Sequence, residues 1–131
     1  MTIEYGETRK LRAASFDQAV ARVTKALQDE GFGVLTEIDI QSTLKDKLNV
    51  EYRPYRILGA CHPQTAYKAV EGEPWIGLLL PCNVVVQQCE EGEVQVGYLD
   101  PGTMVVCSGN KGMEPIVTET RLRLRRALDS L

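Results

Sequence analysis

Two cysteines stand beside prolines in apolar sequence, Cys61 in "ILGACHP" (57–63) and Cys82 in "LLLPCNVVV" (78–86). His62 reads as a helix N-cap and Pro63 as the first helical residue, which sets Cys61 at a helix start. Backbone N–H groups, here those of Gln64 and Thr65, and the positive helix end favour a thiolate there, so the thiol could act as a nucleophile or bind a ligand. Packing is the competing explanation, because Cys61 shares an alternating face with Ile57 and Gly59, and Cys82 shares one with Val84 and Val86. If the strands that carry them are neighbours, the two thiols form a dithiol, with Cys61 attacking and Cys82 resolving.

Other chemistry-bearing residues are fewer. His62 is the only histidine, so a cysteine–histidine dyad would have to use it. Cys61 and His62 are adjacent and point apart in an extended chain, and closed zinc sites want four ligands, so no metal site is expected. Glu37 and Asp39 lie two apart on one strand face, as solvent-facing carboxylates or a paired site would. Arg121, Arg123, Arg125 and Arg126 form a basic run near a helix C-terminus, where the dipole favours them; anion binding is the alternative. Trp75, the only tryptophan, lies in an apolar run and suits a core, an interface or the wall of a ligand pocket.

The 131 residues suffice for one domain, 1–131, with a hydrophobic core. Hydrophobic residues make up 44% and charged residues 25%, with a net charge of −3, so the whole chain offers no electrostatic footprint for nucleic acid. The longest uncharged stretch, Pro74 to Cys89, contains two prolines and several amides and makes a poor membrane span. "MTIEYGETRK" lacks the apolar core of a signal peptide, and the expected compartment is the cytoplasm. The cysteines at 61, 82, 89 and 107 contain no C-x-x-C, and they are expected to be reduced.

The chain between these residues reads as follows. Residues 2–12 alternate as a first strand. "SFDQAVARVTKALQDEG" is a helix capped by Ser15 with Gln18 in a capping box and Gly31 at its end. "GVLTEIDIQ" alternates as a half-buried strand, and "STLKDKLN" suggests a short helix from Ser42. "RPYRILGAC" is a strand and "HPQTAYKAVEG" a helix. Residues 75–80 and 82–88 read as strand segments broken at Pro81. "CEEGE" is a hairpin turn with Gly92 at its tip, leading into "VQVGYL". "DPGT" is another turn, "MVVC" a short strand, and Glu114 to Leu131 a helix with Val117, Thr120, Leu124, Ala127, Leu128 and Leu131 at helical spacing. Strand runs joined by hairpins predict an α+β fold with a mainly antiparallel sheet and helices on one face. No dinucleotide-binding or P-loop glycine pattern occurs.

At "ILGACHP", "LLLPCNVVV" and "YLDP" the chain resembles the uncharacterised family known as domain of unknown function 302, nearly end to end. Cys61, Pro63, Pro81 and Cys82 match that family's Gly-x-Cys-Asn-Pro and Leu-Pro-Cys patterns, while His62 stands where the family usually has asparagine. Asparagine caps helices but is neither a base nor a strong metal ligand, which favours a capping role for His62. The resemblance implies a fold similar to the TATA-binding-protein-like group, a curved antiparallel sheet packed on a long helix; it implies no activity and no DNA binding.

The leading expectation is a cytoplasmic module that binds a small molecule or sulfur species in a pocket near Cys61, His62, Cys82 and Trp75. An anionic group could be drawn to the helix start there. A thiol-redox or sulfur-transfer enzyme using Cys61 and Cys82 is the second reading. A structural homodimer with paired strand edges and core cysteines is the third. No cofactor is implied, and no catalytic residue is assigned.

Overall fold

The computed structural model describes residues 2–89 and 92–131. Helix α1 (Phe16–Asp29) begins where Ser15 Oγ accepts the Gln18 N–H at 3.1 Å. Gln18 Oε1 reaches back to the Ala14 N–H at 2.6 Å, a variant of the expected capping box. The helix ends at Gly31, whose φ of +88° suits a residue without Cβ. There the Gly31 N–H donates to Gln28 O and the Phe32 N–H to Leu27 O, a Schellman closure.

Local rules also explain where the chain departs from expectation. Residues 2–12 form a tight hairpin, β1 (Thr2–Ile3) and β2 (Gly6–Leu11), rather than one strand. Strand β3 (Gly33–Asp39) runs directly into α2 (Ile40–Leu48), because Asp39 accepts the Ser42 N–H at 2.9 Å and starts the helix before Ser42. Residues 74–79, read in part as a strand, form a 3₁₀ helix opened by Pro74, whose fixed φ and missing N–H suit a first turn. The "MVVC" strand is instead inside helix α4 (Thr103–Ser108). Asp100 nucleates that turn by accepting the Gly102 N–H at 2.8 Å, while Thr103 Oγ1 donates to Asp100 O at 3.0 Å.

The remaining elements are β4 (Tyr55–Cys61), α3 (Pro63–Gly72), β5 (Cys82–Gln88), β6 (Val94–Leu99), a 3₁₀ turn (Lys111–Met113) and α5 (Glu114–Asp129). The Leu80–Pro81 peptide bond is cis. Of the hairpin turn between β5 and β6, Glu90 and Glu91 lie outside the described residues; Gly92 has a φ of +76°.

The strands form one antiparallel sheet in the order β1-β2-β6-β5-β4-β3, giving an α+β fold. Leu58, Val84, Val86, Val96 and Tyr98 alternate onto one face and pack with Val23 and Leu27 of α1 and Leu124 and Leu128 of α5. Each such aliphatic side chain contributes roughly 1.5–3 kcal/mol by leaving water. A second cluster joins Ala69, Ile76, Met104, Met113, Ile116 and Val117, where α3, α4, α5 and the 3₁₀ helix meet. It closes the sheet end that carries Cys61 and Cys82.

Both sheet edges carry features that oppose pairing with another strand. β1 is two residues long. β3 has a register shift between Val34 and Thr36 and bears Glu37 and Asp39, both bridged to Arg56.

Candidate functional site

Strand β4 delivers Cys61 to the sheet end, and β5 begins there with Cys82. Ala60 stands directly opposite Cys82, so Cys61 is displaced from it by one residue. Opposed Cα atoms lie about 4.5–5.5 Å apart in an antiparallel pair, which puts the two cysteine Cα atoms at roughly 6 Å, while strand alternation directs their Cβ atoms to opposite faces of the sheet, a geometry that does not favour a bridge. Both are free thiols. Both also line one cavity of ≈ 240 Å³, together with His62, Thr65, Met104 and Thr120. Its other walls are aliphatic or proline carbon, from residues such as Leu35, Leu80 and Ile116, and no charged side chain lines it.

Burial dominates the electrostatics. It pushes the Cys82 thiol up to about 11, with the neighbouring Cys61 adding in the same direction. The thiol is therefore protonated at neutral pH and behaves as a small polarizable wall group.

His62 has the capping role its position suggests. Its Nδ1 accepts the Thr65 N–H at 3.3 Å, and Thr65 Oγ1 donates to the His62 carbonyl at 3.1 Å. An acceptor Nδ1 places the proton of the neutral ring on Nε2. Burial, and then the Arg123 charge, hold the imidazole pKa below its ordinary value, with Glu119 opposing and Lys68 reinforcing. The Nε2 edge turns toward Gly31, where a Cβ would lie 2.9 Å from Cδ2 and 3.1 Å from Nε2. Phe32 meets the ring edge-on at 5.8 Å between centroids. Among the described residues no hydrogen bond joins His62 to a cysteine, and the Thr65 N–H expected to face Cys61 is taken by the cap.

Trp75 does not join this group. It is 79% exposed and absent from the cavity wall, because the three-residue repeat of its 3₁₀ helix buries Ile76 and turns Trp75 and Leu78 outward. The arginine run is not a free basic patch either. Arg121 pairs with Asp100 at 2.7 Å, Arg123 with Glu119 at 3.2 Å, Arg125 with Glu7 at 2.8 Å and Arg126 with Glu30 at 3.7 Å. Glu37 and Asp39 meet Arg56 at 2.7 and 3.5 Å, so that carboxylate pair is a bridged surface cluster.

Sequence reasoning missed Met104, because α4 was read as a strand, and Leu35, which enters the wall beside the β3 register shift. Thr120 was legible only as a polar residue within the apolar stripe of α5; its hydroxyl donates to Ile116 O at 2.8 Å. Among the described residues no cluster of three or more His, Cys, Asp or Glu could hold a metal ion. Among the same residues no helix is long and apolar enough to cross a membrane.

The family model for domain of unknown function DUF302 matches residues 7–131. The crystal structure of an uncharacterized conserved DUF302 protein from Bacillus stearothermophilus is similar, with a TM-score of 0.87 and 27% identity over 97% of this chain and 98% of that one. None of the curated proteins matches.

Proposed function

The chain belongs to the DUF302 family, and from that premise we propose that it is a small-ligand binding protein whose site is the cavity containing Cys61 and Cys82. The carrying observation is that thiols from neighbouring strands line one cavity whose wall holds no charged group. Cavities of about 150 Å³ with apolar walls take up benzene, so ≈ 240 Å³ is room for a somewhat larger guest. Anions find little to attract them, since the α3 start is capped by a neutral imidazole and Cys82 is protonated. The ligand class is an uncharged, mainly apolar molecule or a neutral sulfur species, held by contact with soft atoms. Free thiols suit a reducing compartment, the cytoplasm.

Methionine-methyl NMR tests this with indole as the probe. Indole is expected to shift the Met104 methyl saturably and leave Met113, outside the cavity wall, nearly unmoved. Ala66→Phe, which fills the cavity from α3, is expected to abolish the shift. An unmoved Met104 methyl at millimolar indole refutes the proposal.

The presence of both thiols in one cavity wall, close enough for Cys61 to act on Cys82, supports one further reading, thiol–disulfide exchange, for which the strand ends would have to turn the two sulfurs toward each other. The Cys61 thiolate would attack a small disulfide, expel one thiolate and leave a mixed disulfide. The Cys82 thiolate would then displace the second, leaving a Cys61–Cys82 bridge and two small thiols. Incubation with 2-hydroxyethyl disulfide decides it by intact mass. Loss of two hydrogens within minutes at pH 7 supports exchange, and unchanged thiols refute it.

A further inference from the structure

We propose that the sheet carries a separate binding site, for a neutral planar heterocycle, on the face turned away from α1 and α5. Along β5 and β6 the residues that alternate with the core valines face the other way, and there they bound a second depression of ≈ 310 Å³. The register defines its floor and rim. Val85 lies opposite Gly97, and Gly97 lies opposite Thr8. Gly97 has no side chain, so the floor there is backbone, bounded by Val85 on one side and on the other by the Thr8 side chain, whose methyl leans toward it. A Cβ at this glycine would come within 3.1 Å of Thr8 Cγ2 and 3.2 Å of Glu7 O.

One row along, Gln87 stands opposite both Tyr55 and Gln95, setting two amides side by side next to a phenol ring. Asn83 supplies a third amide on the opposite rim, and Tyr5 closes the end by the β1–β2 turn. Glu7 also lines the depression, but its carboxylate is held by the Tyr98 hydroxyl and by Arg125 Nε. The remaining polar groups of the wall are uncharged.

A primary amide offers a donor and an acceptor in one plane, which matches a heterocycle edge carrying an amino group beside a ring nitrogen. Arg53 Nη1 donates to Gln87 Oε1 at 3.4 Å, which biases that amide to present its N–H₂. The flat floor receives a ring face, and the tyrosines extend the aromatic contact. Amides on both rims suit an uncharged ring that spans the floor; a phosphate or carboxylate would meet no cation in the wall.

Adenine is the probe, titrated into ¹⁵N-labelled protein while the side-chain amide signals of Asn83, Gln87 and Gln95 are followed. Saturable shifts confined to these amides and to Gly97 are expected. Gln95→Leu should weaken binding roughly three- to tenfold, the worth of one hydrogen bond. Gly97→Val should remove it by filling the floor. If Gly97→Val fails to fold, Gln95→Leu and Asn83→Leu, at positions that are not buried, carry the test. The proposal is overturned if folded protein shows no saturable shift, or if Gln95→Leu binds as the native chain does. Equal binding of indane, which has no heteroatom, or of glucose, which is not planar, overturns it too. So does a concentration-dependent dimer that covers these amides without ligand.

Discussion

Alkylation of Cys82 gives the sharpest measurement of the cavity's polarity. The thiol ionises near 11 instead of the ordinary 9.0. At pH 7 it therefore holds about a hundredfold less thiolate than an ordinary thiol. A higher pKa also makes each thiolate more nucleophilic; a Brønsted slope of about 0.4–0.5 restores roughly six- to tenfold. The folded protein should thus react with iodoacetamide at Cys82 at least about tenfold more slowly than the same cysteine in denatured chain, with steric shielding slowing it further. The pH profile separates ionisation from shielding. The denatured-state rate should level off above about pH 9, while the folded-state rate should keep rising tenfold per pH unit to about pH 10. Digestion and mass spectrometry assign the label among the four cysteines. A folded-state rate that levels off between pH 8 and 9 would refute the claim that burial governs this thiol.

Substitutions at three further positions probe the surroundings. Gly31→Ala should cost about 1–2 kcal/mol for its left-handed backbone, and more because its Cβ would press on His62 at 2.9 Å; the urea midpoint reads this. His62 is held below its ordinary pKa of 6.5, so the unfolded chain binds more protons between the folded and unfolded values. Its contribution to stability is complete above pH 6.5 and is lost as pH falls through the folded-state pKa. His62→Asn should keep the cap and flatten this part of the stability profile, whereas His62→Ala should lose about 0.5–2 kcal/mol at pH 7.5. Identical pH profiles for native chain and His62→Asn would remove the imidazole from that role. Trp75→Ser should leave stability within about 0.5 kcal/mol, since the ring is a surface group; a larger loss in thermal unfolding would contradict its placement.

Periodicity made the longest elements legible and failed on the shortest. Helix α1 declared its cap at Ser15, its stripe through Leu27 and its stop at Gly31, and all three hold. Strands β5 and β6 alternate cleanly because one face is buried. "WIGLLL" and "MVVC" are apolar runs too short to distinguish period 2 from period 3 or 3.6, and the residues that decide them lie just outside, at Pro74 and Asp100. The cysteine pair was legible as two motifs but not as one place. Their adjacency depends on a register between β4 and β5 that no local spacing encodes. The sheet-face depression was invisible for the same reason, since Gly97, Gln95 and Gln87 acquire meaning only as cross-strand neighbours.

Two features shape the wall of the proposed site, the α3 start beside Cys61 and the burial of Cys82. A helix start lowers a thiol pKa only if its N–H groups remain available to the sulfur. Here the Thr65 N–H is spent on His62 Nδ1 and Pro63 has none to give, which leaves only the Gln64 N–H among the first three helical residues. Arg123 of α5, whose charge reaches His62, points its Nη1 at Glu30 O and its Nη2 at Glu119, so an acid partly offsets that charge. Nothing cationic lines the cavity to oppose desolvation. A ligand wall needs a sulfur that stays protonated at neutral pH, and Cys82 meets that requirement. Selectivity at such a site would follow from shape and soft contact with Met104 and the two sulfurs. Replacing Cys82 with serine, which has a stronger hydrogen-bonding group and a smaller, less polarizable atom, should therefore weaken an apolar guest rather than abolish a reaction.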